Sequence, residues 1–101
     1  MNIIWTKAAR AEANAIWQYL VQRNPQAADK TATAILKAVE KLADFPQLGR
    51  PGRIEGTREL VITRLPYIVV YSVGKTRITI LRVLHSARNW PEEPDKTDNS
   101  P

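Results

Sequence analysis

The stretch RELVITRLPYIVVYSVGKTRITILRVLH, residues 58–85, decides the fold. Three runs rich in Val, Ile, Leu and Tyr, at 58–65, 67–73 and 77–85, are separated by Pro66 and by Gly74-Lys75-Thr76. That pattern predicts three consecutive antiparallel strands. Pro66 has no amide hydrogen for a ladder, so it marks a bend or a hairpin corner between the first two. Alternation along 77–85 sends Ile78, Ile80, Arg82 and Leu84 one way, and Thr79, Leu81, Val83 and His85 the other. Arg82 and His85 therefore fall on opposite faces, and a joint catalytic role would require a bulge. In 58–65 the side chains of Arg58, Leu60, Ile62 and Arg64 share one face, opposite Glu59, Val61 and Thr63. Glu59 reads as the partner of one of the many arginines. Tyr67 and Tyr71 share a face of the middle strand, and period-two spacing among Ile and Val places them at a core edge.

Upstream, residues 46–57 (PQLGRPGRIEGT) hold three of the four glycines and two of the seven prolines, which predicts a loop carrying Arg50 and Arg53. Two amphipathic helices precede it. In the first, Ala13, Ile16, Trp17, Leu20 and Val21 form one helical stripe behind an N-cap at Thr6. In the second, Ala32, Ile35, Leu36, Val39 and Ala43 repeat the stripe, with Asn24 as cap, Pro25 at the first helical position and Phe45-Pro46 as the stop. Residues 3–5 (IIW) are a short strand. The order strand, helix, helix, three strands does not suit a doubly wound parallel sheet. It predicts an α+β two-layer domain over residues 1–91: an N-terminal strand and an α-helical hairpin packed on a mainly antiparallel sheet whose other face is exposed. Residues 92–101 are acidic and contain two prolines, and are expected to be a disordered tail.

Composition narrows the chemistry. The chain has 101 residues, 44% of them apolar, and no cysteine. Disulfides, thiolate metal sites and cysteine nucleophiles are excluded, and a reducing cytoplasm is the expected location. A single histidine leaves no conventional structural zinc site, so no metal and no cofactor are expected. No apolar run spans a bilayer and the opening MNIIWTKAAR has no leader pattern, so no membrane partner is expected. Net charge is +2 over residues 1–48, +6 over 49–91 and −3 over 92–101, and seven of the eight cations in 49–91 are arginine. Such a surface favours nucleic acid, nucleoprotein or an acidic protein as partner. Ser72 and Ser86 have no evident base and orienting acid, and the GRPGRIEG segment lacks the Lys-Ser/Thr of a phosphate-binding P-loop.

The blocks FPQLGRPG (45–52), GTRELVI (56–62), PYIVVYSV (66–73) and ILRVLHSARNWP (80–91), in that order, resemble the RelE/ParE superfamily of toxins from bacterial type II toxin–antitoxin modules. The resemblance covers all but the acidic tail. It implies a growth-inhibiting toxin, associated with plasmid stabilization and neutralised by a small acidic, DNA-binding antitoxin in a hetero-oligomer. The RelE-like branch is a metal-independent mRNA interferase that cleaves mRNA in the ribosome. One of its signatures is an arginine three residues before the tyrosine of the middle strand, and here that position is Ile68. Exchanging an arginine clamp on a doubly negative transition state for isoleucine should cost on the order of 10²–10³ in rate or more. The Leu-Gly-Arg-Pro loop and the RVLH ending are similar instead to the ParE-like branch, which implies binding and poisoning of DNA gyrase. Arg58, Arg64, Arg82, His85, Arg88 and Trp90 are the candidates for target binding. Arg82, His85 and Arg88 become the catalytic candidates if the chain is a ribosome-dependent endoribonuclease.

Overall fold

A computed structural model describes residues 1–87, 90 and 91. The elements run β1 (Asn2–Trp5), α1 (Lys7–Val21), α2 (Pro25–Lys41), β2 (Arg50–Pro51), β3 (Arg58–Val61), β4 (Tyr67–Val73) and β5 (Arg77–His85). They form one five-stranded sheet in the order β1-β5-β4-β3-β2, with β1 parallel to β5 and every other pair antiparallel. The α+β reading holds, with two helices on a mixed sheet.

Both helices start where their caps dictate. The Thr6 hydroxyl accepts the Ala9 amide at 3.0 Å, and the Asn24 side chain accepts that of Ala27 at 3.1 Å. Each such cap contributes about 1 kcal/mol by pairing an amide that has no partner inside the helix. The Thr6 hydroxyl also lies 3.0 and 3.1 Å from the carbonyls of Ile80 and Leu81, to which it donates. The start of α1 is thereby tied to β5.

The core lies between sheet and helices. Ala9, Ile35, Val39 and Leu42 meet Leu60, Tyr67, Val69, Tyr71, Ile78, Ile80 and Val83 there. Two expected members of the helical stripes are exposed instead. Trp17 and Leu36 are 36% and 53% exposed. On α2 the buried face is Ala28, Thr31, Ile35 and Val39, so Leu36 points away from the sheet. The tyrosine reading holds: Tyr67 and Tyr71 are both buried on the helix side of β4.

Four expectations need correction. The first strand of the decisive stretch ends at Val61, because Arg64 takes a left-handed conformation (φ 66°) in the turn into β4. Arg64 therefore shares no strand face with Arg58. The glycine-rich loop contains β2, whose two residues pair with Arg58 and Glu59. Strand β5 does not alternate regularly: Val70 pairs with Arg82 while Tyr71 pairs with Ile80, so Leu81 is an extra residue in a bulge. Ile80 and Val83 consequently both face the core, three residues apart. The cause lies at the sheet edge. β1 stops pairing at Trp5↔Ile80, and beyond that point the Thr6 hydroxyl and the Glu12 carboxylate take backbone groups that a strand would have paired. The outer face of the sheet, expected to be exposed, is covered in part. Ile68, Val70 and Leu84 form a second buried cluster against which Leu81 and Trp90 pack.

The loop before β3 is held from inside the core. The Tyr71 hydroxyl accepts the Gly49 amide and donates to the Pro46 carbonyl, both at 2.8 Å. A side chain at residue 49 would stand 2.8 Å from the Tyr71 ring and 2.9 Å from the Glu59 carbonyl, so only glycine fits. Tyr71→Phe leaves the Gly49 amide unpaired, and a loss of about 1–3 kcal/mol in chemical denaturation is expected. Gly49→Ala should be at least as damaging, since it forces tyrosine and strand apart.

Candidate target-binding surface

Glu59 is 2% exposed and organises the arginine-rich loop. One carboxylate oxygen accepts from Arg50 Nη2 at 3.0 Å, and the other accepts the Arg53 amide at 3.0 Å. Burial alone pushes this carboxyl up. The amide of Arg53, the Arg50 guanidinium and the charges of both arginines outweigh it and hold the group below its ordinary value near 4.5. A depressed native pKa contributes stability above the unfolded value, which is lost as pH falls through the native one. The stability gap between wild type and Glu59→Gln should therefore be full at neutral pH. It should close only when pH drops below about 4.5, as followed by denaturation at a series of pH values.

With its amide fixed, Arg53 reaches the C-terminal segment, where its Nη1 donates to the Trp90 carbonyl at 2.5 Å. The Trp90 indole lies on the outer cluster of Ile68, Val70 and Leu84. Its Nε1 is buried without a hydrogen-bond partner. The Arg82 guanidinium sits 5.0 Å from the Trp90 ring centroid. Its Nε and Nη2 donate to Glu12 Oε2 at 2.8 and 2.6 Å, and Glu12 Oε1 accepts the Val83 amide at 2.9 Å. Arg82 is thus a fixed ion pair at the free edge of β5.

The remaining candidates are elsewhere. His85 is exposed at the end of β5, its ring edge-on to Tyr67 at 5.6 Å, with Nδ1 accepting the Ala87 amide at 3.1 Å. The bulge does not unite it with Arg82, because the alternation is regular again from 82 to 85. Arg58 is half-buried, and its Nη1 donates to the Gly49 carbonyl at 2.6 Å. Arg64 is exposed in the β3–β4 turn. Arg88 lies outside the described residues. The five candidates among the described residues therefore divide: Arg82 and Trp90 come together, His85 stands apart with Tyr67, and Arg58 and Arg64 belong to other surroundings.

Sequence reasoning missed Glu12 and Tyr19. The signal for Glu12 was a carboxylate four residues before Ile16, beside an apolar stripe, where an unpaired charge would be costly. Among the described residues no group of three or more His, Asp or Glu side chains is placed to hold a metal ion, and no helix is long and apolar enough to cross a membrane.

The chain and its fold have known counterparts. Residues 3–90 match the family model described as the ParE toxin of the type II toxin–antitoxin system parDE. Y4kP of Sinorhizobium fredii is 40% identical over 91 residues, 90% of this chain and 94% of that protein. Toxin RelE2 of Caulobacter vibrioides is 36% identical over 87 residues, 86% of this chain and 97% of that one. Among solved structures, one from the chromosomal ParDE toxin–antitoxin system of P. aeruginosa matches with a TM-score of 0.75 and 31% identity, covering 84% of this chain and 95% of that chain. The chain belongs to the ParE toxin family and is the toxin of a type II toxin–antitoxin system.

Proposed function

We propose that this toxin arrests growth by binding and poisoning DNA gyrase, not by cutting mRNA, and that a cognate acidic antitoxin silences it. The observation that carries the target reading is the outer face of the sheet. Ile68 occupies the position at which the nuclease branch carries an arginine, and it is buried with Val70 and Leu84 beneath Trp90. A scissile phosphate would meet hydrocarbon there. Arg82, whose guanidinium sits against Trp90, is already paired with Glu12. One observation favours the endoribonuclease reading: His85 is exposed at the end of β5, where an imidazole can serve as general acid or base.

The antitoxin reading rests on charge and on open apolar side chains. Residues 1–91 carry a net +8, which an acidic chain would complement and which would speed encounter. The helical hairpin leaves Trp17 and Leu36 exposed, anchors suited to an amphipathic helix. Residues 1–91 are proposed as the complete toxin domain in this complex, with 92–101 dispensable.

Expression of the toxin alone should arrest growth, and the neighbouring small reading frame should restore it. Purified toxin should inhibit supercoiling by gyrase and leave ribosome-bound mRNA intact in primer extension. Codon-phased cuts would replace the gyrase reading and make Arg82, His85 and Arg88 the catalytic candidates. Deleting residues 93–101 should preserve toxicity, whereas His85→Ala and Arg88→Ala should weaken it in soluble protein. The toxin–antitoxin complex should survive about 0.3 M salt, because apolar burial is screened far less than surface charge.

A further inference from the structure

One cleft gathers aromatic side chains at the margin of the core, outside the loop network. It lies between the second half of α1 and the end of the sheet where β4 begins and β5 finishes. Ala15, Ile16, Tyr19, Tyr67 and His85 line it, around a volume of about 350 Å³. That volume is within the range of about 300–1,000 Å³ found for small-ligand sites. Ala15 and Ile16 supply apolar surface, and three rings supply the rest.

The polar groups at this cleft are donors and cations. The Arg23 guanidinium stands 3.8 Å from the Tyr19 ring centroid and donates to the Tyr19 carbonyl at 2.9 Å. Arg64, exposed in the β3–β4 turn, precedes Tyr67 by three residues at the same end of the sheet. Unlike that of Tyr71, the Tyr67 hydroxyl has no hydrogen-bonding protein partner among the described residues. Burial, reinforced by Tyr19, raises the pKa of this phenol and keeps it a donor. His85 accepts the Ala87 amide at Nδ1, which leaves Nε2 as the ring's donor. Among the described residues no acidic side chain lines the cleft. The acid one turn away, Glu12, is engaged by Arg82 and the Val83 amide.

We propose that this cleft receives an unpaired nucleobase of a single nucleic-acid strand, stacked beside Tyr19, with the adjoining phosphate on Arg23. An aromatic wall accepts the face of any base, hydroxyl and imidazole donors suit the acceptor atoms of a base edge, and a guanidinium at the rim suits phosphate. A base still stacked in a duplex cannot enter, so the site selects unpaired strands. The same chemistry serves a DNA strand opened on an enzyme or a messenger strand, so the inference holds whichever target is correct.

The test is fluorescence anisotropy of the full-length toxin with a short labelled DNA strand, the RNA of the same sequence, and the corresponding duplex. Both single strands, or one of them, should bind more tightly than the duplex, and the preferred strand identifies the source. Tyr19 is 57% exposed, so its replacement leaves the core intact. Tyr19→Ala should weaken single-strand binding about tenfold while Tyr19→Phe retains it. Arg23→Gln should weaken it and lower the salt dependence by about one phosphate contact. Arg77→Gln, exposed at the opposite end of β5, should change affinity far less than Tyr19→Ala. Equal affinity for the duplex, or wild-type affinity in Tyr19→Ala, overturns the proposal. So does a Tyr19→Ala toxin that loses gyrase inhibition with strand binding unchanged, which would give the cleft to a protein. Because the primary readout is strand binding, its failure is distinct from failure to inhibit gyrase.

Discussion

A buried carboxylate with two arginine partners holds this molecule in register. Glu59 is nearly inaccessible and sits on a short strand close to the sheet edge, where an unpaired charge would cost several kcal/mol. It avoids that cost only if the loop folds back to present the Arg50 guanidinium and the Arg53 amide. The loop then brings the Arg53 side chain to the Trp90 carbonyl, and Trp90 covers Ile68, Val70 and Leu84. One carboxylate thus links edge strand, loop, C-terminal segment and the outer face of the sheet. Tyr71 supports the same loop from the core side through Pro46 and Gly49.

Much of this was legible in the sequence. The change from helical to strand periodicity after the glycine-rich loop is strong, and Thr6, Asn24 and Pro25 announce both helices with specific cap chemistry. Glu59 among arginines correctly reads as a structural pair. What escaped depends on tertiary context. The bulge at Leu81 exists because β1 ends opposite Ile80 and α1 begins there, and no local property of RITILRVLH encodes that. The rotation of the α2 face away from Leu36 likewise follows from the sheet it packs on. The covered outer face had a sequence signal in YIVVY (67–71), an apolar run without polar alternation, which means burial on both sides. For the candidate site, the residue types, their basic setting and the separation of Arg82 from His85 were legible, but the meeting of Arg82 with Trp90 was not, because it depends on where the C-terminal segment returns over the sheet.

The arginine count therefore overstates what a partner can grasp at close range. Arg50 and Arg82 are paired with carboxylates, so their charge is locally cancelled. Arg53 and Arg58 donate to carbonyls, which occupies donors but leaves the positive charge in place. Arg64 and Arg77 are exposed and, among the described residues, have no protein partner. The field that steers an acidic partner draws on all the uncancelled cations and reaches about a Debye length, some 8–10 Å in physiological salt. Directional recognition needs a guanidinium whose donors are not already committed. Long-range attraction and short-range specificity thus come from different subsets of the same residues.

That division bears on how a protein of this size keeps several surfaces distinct. A chain of 101 residues has one helix–sheet core, and every residue spent on fixing a loop is unavailable to a partner. Here the fixed ion pairs lie on one side of the problem: Arg50–Glu59 at the loop and Arg82–Glu12 at the free edge of β5. The second also blocks that edge, since the Glu12 carboxylate takes the Val83 amide that an incoming strand would need. Association by strand addition there would first have to displace a bidentate arginine pair. The surfaces left open are of another kind: apolar side chains on the helical hairpin and the aromatic cleft at the end of α1. With the free edge of β5 closed by the protein's own side chains, the helix faces and the cleft are the surfaces still open to contact.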